Sequence, residues 1–314
     1  MSHEMTDLNY FTPLIGQSSA VELLIQAVRQ NRIPPAYLFV GAEGIGRSLA
    51  ARCWIDLLFA SAKNRSQQAN HPDLLWVEPT YQHQGQRLTA QEAAEKGVKR
   101  KASPIIRLEQ IREITDFLSR PPLEATRHIV VLENAEAMAE APANALLKTL
   151  EEPGRATLIL LAPAIDAILP TLVSRCQKIP FQRLNSSDMA EVLGKIGHTE
   201  ILQHPEILQM AAGSPGMAIA YFQQLANIPS EILQAVKNMP RNQREALELA
   251  KQIDKNLDYE TQLWLVDYLQ QSYWQNQHQP QIIAQLEKAR KYLQVYAQPR
   301  LVWECTLLSI YQNR

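Results

Sequence analysis

The chain has 314 residues, 46% of them hydrophobic and 20% charged, with a formal net charge of -1. That is long for one domain and ample for more than one core, and the even charge balance argues against a chain that grips nucleic acid alone through a basic surface. No apolar run reaches the ~18 residues of a membrane span, and the polar, acidic start from Met1 to Asp7 is not a signal peptide. Three scattered cysteines (Cys53, Cys176, Cys305) fit neither a disulfide framework nor paired zinc ligands. A cytoplasmic protein without membrane contact is expected.

The first half alternates helix and strand signals. Ser19 and Glu22 have the spacing of a capping box. Val21, Leu24, Ile25 and Val28 then mark one apolar helical face, which Pro34-Pro35 ends. Tyr37 to Val40 reads as a short buried strand, followed by a Gly-rich loop and an apolar helix from Ser48 to about Ala60. Similar apolar runs at 74–77, 129–132, 157–161 and 178–181 read as further strands. Between them, Leu108, Ile111, Thr115 and Leu118 form one helical stripe, and 142–152 is another helix. Strands alternating with helices imply an α/β core with a parallel sheet covered on both faces. Residues 79–104 interrupt the pattern as a polar insertion carrying Lys96, Lys99, Arg100 and Lys101, expected to be a solvated loop rather than a DNA contact.

After Phe181 the chain turns all-helical. Ser186 and Ser187 can cap a first helix. A second runs from Pro205 to Gly213, and Ser214-Pro215 opens a third with proline at its first position. Longer helices follow Pro229, broken near Pro240, Pro280 and Pro299. The expected division is 1–182 as a P-loop core, 183–228 as a three-helix lid, and 229–314 as a helical assembly domain.

Chemistry concentrates in the first part. Gly41-Ala-Glu-Gly44-Ile-Gly46-Arg47-Ser48 follows a strand and opens a helix, as a P-loop does. Its glycines let backbone N–H groups face phosphates at a helix N-terminus. The lysine that would reach the terminal phosphates is replaced by Arg47, which is bulkier and forked and so not equivalent in a tight cradle. Ser48 keeps the hydroxyl that would face Mg²⁺. An ordinary Gly-rich turn is the simpler alternative, but strand, loop and helix together favour a P-loop that has lost or weakened nucleotide binding. After the 129–132 strand stand Glu133 and Asn134, where an active ATPase carries an Asp for Mg²⁺ and a Glu for water. Glu133 can still reach a metal-bound water. Asn134 cannot accept a proton, which removes general-base catalysis typically worth ~10²–10⁴ in rate. Glu136 reads as an acid at a helix start. Trp54, Trp76, Trp264, Trp274 and Trp303 read as core or interface aromatics, and the seven histidines form no metal pair.

Asn144-Ala-Leu-Leu-Lys-Thr-Leu-Glu-Glu-Pro153, Ser174-Arg175-Cys176, His71-Pro72-Asp73 and Gly213-Ser-Pro-Gly-Met-Ala218 together resemble the bacterial clamp-loader AAA+ subunits of DNA polymerase III, over residues 10–225. The altered P-loop and acidic motif, with Gly216 where active subunits carry a phosphate-sensing arginine, resemble the delta-prime type within that family. The resemblance implies an AAA+ core, a small helical lid and an all-α collar. It implies gamma/tau and delta subunits, a sliding clamp and primer–template DNA as partners. It also implies that Arg175 reaches in trans into a neighbouring ATP site. No cofactor is required on this reading, and passive ATP or ADP binding is doubtful. The family's four-cysteine zinc module has no counterpart between Phe59 and Asn70, so no metal is expected. Two rivals stay open: an active AAA+ ATPase of gamma/tau or helicase type, and a pseudo-ATPase scaffold outside replication.

Overall fold

The computed structural model describes residues 7–59, 71–96, 103–238, 240–276, 280–295 and 297–312. It divides into two compact units, Met1–Asp188 and Met189–Arg314.

The first unit is built on β1 (Ala36–Val40), β2 (Leu74–Val77), β5 (His128–Leu132), β6 (Ala156–Ala162) and β7 (Gln177–Pro180), in the order β2-β5-β6-β1-β7 with every pairing parallel. A separate antiparallel hairpin joins β3 (Tyr81–His83) to β4 (Gln86–Leu88). Side chains alternate across the sheet with the period of a strand. Tyr37, Phe39, Ile129, Val131, Ile159 and Leu161 enter one core together with α1 (Ser18–Arg29) and α2 (Arg47–Phe59). Leu38, Val130, Leu132, Leu158 and Leu160 enter the other, against α4 (Leu108–Leu118), α5 (Glu140–Glu151) and the short α6 (Pro170–Val173). All seven residues of β6 are buried. Burying Leu158, Ile159, Leu160 and Leu161 alone supplies on the order of 6–12 kcal/mol of transfer free energy. This two-sided burial explains why the strands read as continuous apolar runs.

Several expectations change. The first helix begins at Ser18 with Gln17 at its cap, and no side-chain cap bond forms there, so the Ser19–Glu22 capping box is absent. Glu22 instead accepts from Gln26 one turn later, at 3.2 Å. On α4 the buried face runs through Gln110, Ile111 and Ile114, while Thr115 is exposed. Where the 79–104 segment is described, at 79–96 and 103–104, it carries regular structure rather than a solvated loop. Its hairpin turns at Gln84-Gly85, both with positive φ (48° and 80°), as a tight two-residue turn requires. It continues into α3 (Ala90–Glu95), where Thr89 and Glu92 bond each other's backbone amides. Leu88, Ala93 and Ile106 are buried, and Arg87 forms a two-pronged pair with Glu113 of α4. Lys99, Arg100, Lys101 and the 60–70 stretch that bears on zinc lie outside the described residues.

The second unit is helical. α7 (Ser186–Lys195) crosses the division between units and is capped by the Asn185 side chain, 2.8 Å from the Asp188 amide. α8 (Pro205–Ala211) ends on Ala212 and Gly213, both with positive φ, and Ser214 caps α9 (Pro215–Ala226). α10 (Ser230–Asn238), α11 (Gln243–Asn256), α12 (Tyr259–Asn276), α13 (Pro280–Gln294) and α14 (Pro299–Gln312) follow. Glu206 of α8 accepts from Tyr268 of α12 at 3.0 Å, and the buried Trp303 indole donates to Gln262 at 2.9 Å. α8 therefore packs on α12, across the 228/229 boundary read from sequence. No helix is long and apolar enough to cross a membrane among the described residues.

Candidate functional site

β1 lies between β6 and β7, so the loop leaving it opens at the point where the sheet reverses strand order, the usual ligand position in such sheets. Gly41 sits where a Cβ would come within 2.5 Å of Ile45 Cδ1 and 2.7 Å of the Phe181 carbonyl oxygen, which explains why only glycine fits there. Gly44 (φ 72°) and Gly46 (φ 102°) supply the left-handed turns that aim the loop at the first turn of α2. Gln17 fastens the loop from outside. Its amide donates to the Gln182 carbonyl at 2.7 Å and the Ile45 carbonyl at 3.3 Å, and accepts from the Gln182 amide at 3.0 Å. Gln17 is buried, and the sequence offered no sign of this role because its partner lies 165 positions away.

Inside the loop, Arg47 is only 7% exposed and its Nη1 has no hydrogen-bond partner. Burial pulls this guanidinium below its ordinary value, and the charges of Glu136, Glu43 and Glu133 partly restore it. Glu136 also has a buried, unpartnered oxygen, and burial raises its carboxyl above the usual range. Glu136 belongs to a short 3-10 turn, Ala135–Ala137, rather than to the start of an α-helix. Asn134, which caps that turn, is in the left-handed region (φ 48°, ψ 56°), a conformation asparagine tolerates better than most residues.

Glu133 accepts a protein hydrogen bond on each carboxylate oxygen. Ser48 Oγ donates to its Oε1 at 2.6 Å, and the Trp76 indole N–H donates to its Oε2 at 2.8 Å. The Arg52 guanidinium, one turn beyond Ser48 on α2, lies 4.2 Å from the centre of the Trp76 ring. Trp76, expected as a core or interface aromatic, packs half-buried against the first core and in addition bonds Glu133 through its N–H. Beside it, among the described residues, Arg52, Glu78, Arg87 and Glu113 border a cleft of about 780 Å³ between β2 and the hairpin. Magnesium takes oxygens at ~2.0–2.1 Å in near-octahedral array. The Ser48 hydroxyl and the Trp76 indole each take one acceptor site on a different Glu133 oxygen, and the buried, forked Arg47 stands where a compact lysine would meet the phosphates. The residues present therefore do not fit magnesium-bound nucleotide.

Arg175 lies apart from this cluster, exposed just beyond α6. Its Nη2 pairs with Glu151 at 2.7 Å and its Nη1 donates to the Thr171 carbonyl at 3.0 Å. Glu151 is the first glutamate of the Glu-Glu-Pro signature, so two motifs distant in sequence meet here. Burial pushes the Cys176 and Cys53 thiols up to about 11, which makes both poor thiolate ligands at neutral pH. In His71-Pro72-Asp73, Asp73 is wholly buried and accepts from the amides of Leu123, Glu124 and Ala125 at 2.7, 2.8 and 2.7 Å. That motif is structural: it folds the loop that leads into β5. Gly216 lies in the first turn of α9 in the second unit.

Comparison with known proteins places this geometry. The family described as DNA polymerase III, delta subunit, matches residues 16–185, and that described as cyanobacterial DNA polymerase III delta prime, C-terminal domain, matches 187–310. The chain belongs to the DNA polymerase III delta-prime family. It is 30% identical over 180 residues to the DNA polymerase III subunit delta' of Bacillus subtilis, covering 54% of this chain and 48% of that one. It is 30% identical over 231 residues to the Pseudomonas aeruginosa subunit delta', covering 69% and 64%. The tau subunit of Bacillus subtilis is 28% identical over 229 residues, covering 71% and 39%. The chain thus spans about half the length of the curated relatives it matches. A DNA polymerase III gamma subunit-related protein of Thermotoga maritima shares the fold, with a TM-score of 0.53 at 19% identity over 93% of this chain and 99% of that one. The fold that this delta-prime family member shares with it is a parallel-sheet core followed by helices.

Proposed function

We propose that this delta-prime family chain is a non-hydrolysing member of a pentameric clamp loader. On this reading it supplies Arg175 to the ATP site of a gamma/tau-type neighbour, and with delta and gamma/tau subunits it helps place the sliding clamp on primed DNA. The observation that carries the reading is the setting of Arg175. It is displayed at the surface, and among the described residues its guanidinium is held by an exposed carboxylate and a carbonyl of its own turn, both easily exchanged for a neighbour's phosphate. An arginine given in trans stabilises charge that develops on a transferring phosphoryl group, an effect worth ~10³–10⁵ in rate in GTPases. The chain's own cradle supports the same reading from the other side. Arg47 replaces lysine, Asn134 cannot act as a base, and the remaining acid is bonded to protein on both oxygens.

A working ATPase would need a base at position 134 and a metal carboxylate at 133; Asn134 supplies no base, and Glu133 is bonded to protein on each oxygen. The test has two parts. The purified chain should hydrolyse no ATP. In a complex reconstituted with gamma/tau and delta subunits, Arg175→Ala should lower DNA-stimulated turnover at the adjoining site by about 10³-fold, with assembly intact by gel filtration. Unchanged ATPase in the complex sinks the trans role. Turnover by the isolated chain that Arg47→Ala abolishes sinks the non-hydrolysing role.

A further inference from the structure

The loss of nucleotide chemistry has a further layer beyond the substitutions at 47 and 134. Glu133 and Ser48 are the two protein oxygens that a P-loop metal would need, and both survive in the sequence. Their direct hydrogen bond is not by itself an obstacle, since a cation could displace one hydroxyl proton. The obstacle is the second bond. Trp76 stands on β2, paired in register with Val131 of β5, two residues before Glu133. From there its indole N–H reaches the other carboxylate oxygen at 2.8 Å. The Arg52 guanidinium of α2 lies 4.2 Å over the ring, so the indole touches two separate elements.

We propose that Trp76 is a lock: a positioning residue that holds Glu133 turned toward protein donors and so excludes divalent metal from the P-loop. This rests on the non-hydrolysing reading but adds to it. Without the indole N–H, one oxygen of Glu133 is released, and the chain regains metal-dependent nucleotide binding without regaining turnover, because Asn134 still offers no base.

The experiment is ADP binding to the full chain by calorimetry, in excess Mg²⁺ and again in EDTA. Wild type should bind ADP no more tightly with Mg²⁺ than without it. Trp76→Phe keeps an aromatic face for Arg52 and removes the indole N–H together with the pyrrole ring that carries it. It should bind ADP roughly 10- to 100-fold more tightly with Mg²⁺ than in EDTA, the factor expected for one charged hydrogen bond. Trp76→Phe combined with Ser48→Ala should be blind to metal again. Either a tenfold Mg²⁺ effect in wild type or a metal-blind Trp76→Phe overturns the lock. Wild type also gives a reading that no variant's folding can spoil. In ¹⁵N-tryptophan-labelled protein, the assigned Trp76 indole resonance should stay put when Mg²⁺ and ADP are added, and its displacement overturns the proposal. None of these measurements reads turnover. A failed lock with no ATP hydrolysis leaves the proposed function standing, whereas hydrolysis by the isolated chain removes the function itself.

Discussion

Replacing Asp73 by asparagine should be among the most destabilising single changes in the first unit, although Asp73 touches no part of the P-loop. The carboxylate is wholly buried and takes three backbone amides at 2.7–2.8 Å. Burial would raise its carboxyl, but those amides, with His128 3.8 Å away, hold it below the ordinary carboxylate range. Asparagine keeps the shape but turns one oxygen into a donor facing a donor, and it removes the charge from all three bonds. Each orphaned donor costs about 1–3 kcal/mol. The retained oxygen can keep the Glu124 and Ala125 amides, so the Leu123 amide and the new NH2 are the two orphaned donors, which sets a ceiling of ~6 kcal/mol and an expected loss of about 3–5 kcal/mol. Amide exchange along β5, read by mass spectrometry at pH 7, reports this unit separately from the helical one. The sign with pH follows from the depressed value. The contribution is complete above the unfolded reference of ~3.9 and vanishes as pH falls through the lower folded value. The gap between wild type and Asp73→Asn should therefore close below about pH 4. A loss under ~0.5 kcal/mol, or a gap that widens in acid, would refute the reasoning.

Two further outcomes follow from the loop's supports. Gln17→Ala removes three backbone bonds from a buried carboxamide and should cost about 2–3 kcal/mol in urea unfolding of the first unit; Gln17→Glu should do at least as much harm, since an oxygen would then face two carbonyls. Gly41→Ala forces a methyl against Ile45 and the Phe181 carbonyl and should cost about 1–3 kcal/mol by thermal unfolding, whereas a neutral result would show that this segment yields freely.

Much of the sheet was legible because each central strand is buried on both faces and leaves an uninterrupted apolar run, as in Ile129 to Leu132. The P-loop was legible from glycine spacing, and Arg47 and Asn134 stood out as departures from it. What escaped notice depends on pairs far apart in sequence. Trp76 meets Glu133 only because β2 pairs with β5 in one register, and a slip of one residue would turn the indole to the other face. Gln17 was hidden for the same reason, and a capping box was read one turn away instead. The 81–88 hairpin escaped because its strands are three residues each and mostly polar, and its turn uses Gln-Gly rather than the Asn-Gly or Asp-Gly that signals such turns. On α4, Thr115 and Ile114 compete for one face, and the bulkier apolar residue is the one that packs inward.

The attachment of the phosphate loop through Gln17 has a bearing on how the molecule responds to its medium. The link consists of a neutral carboxamide and backbone groups, with no ion pair in it. Nothing in it titrates between acid and alkaline conditions, and salt has no charge there to screen. Rising ionic strength weakens exposed pairs such as Arg175 with Glu151 while leaving the loop moored to β7. The Gln17 mooring should therefore hold at salt concentrations that loosen exposed ion pairs.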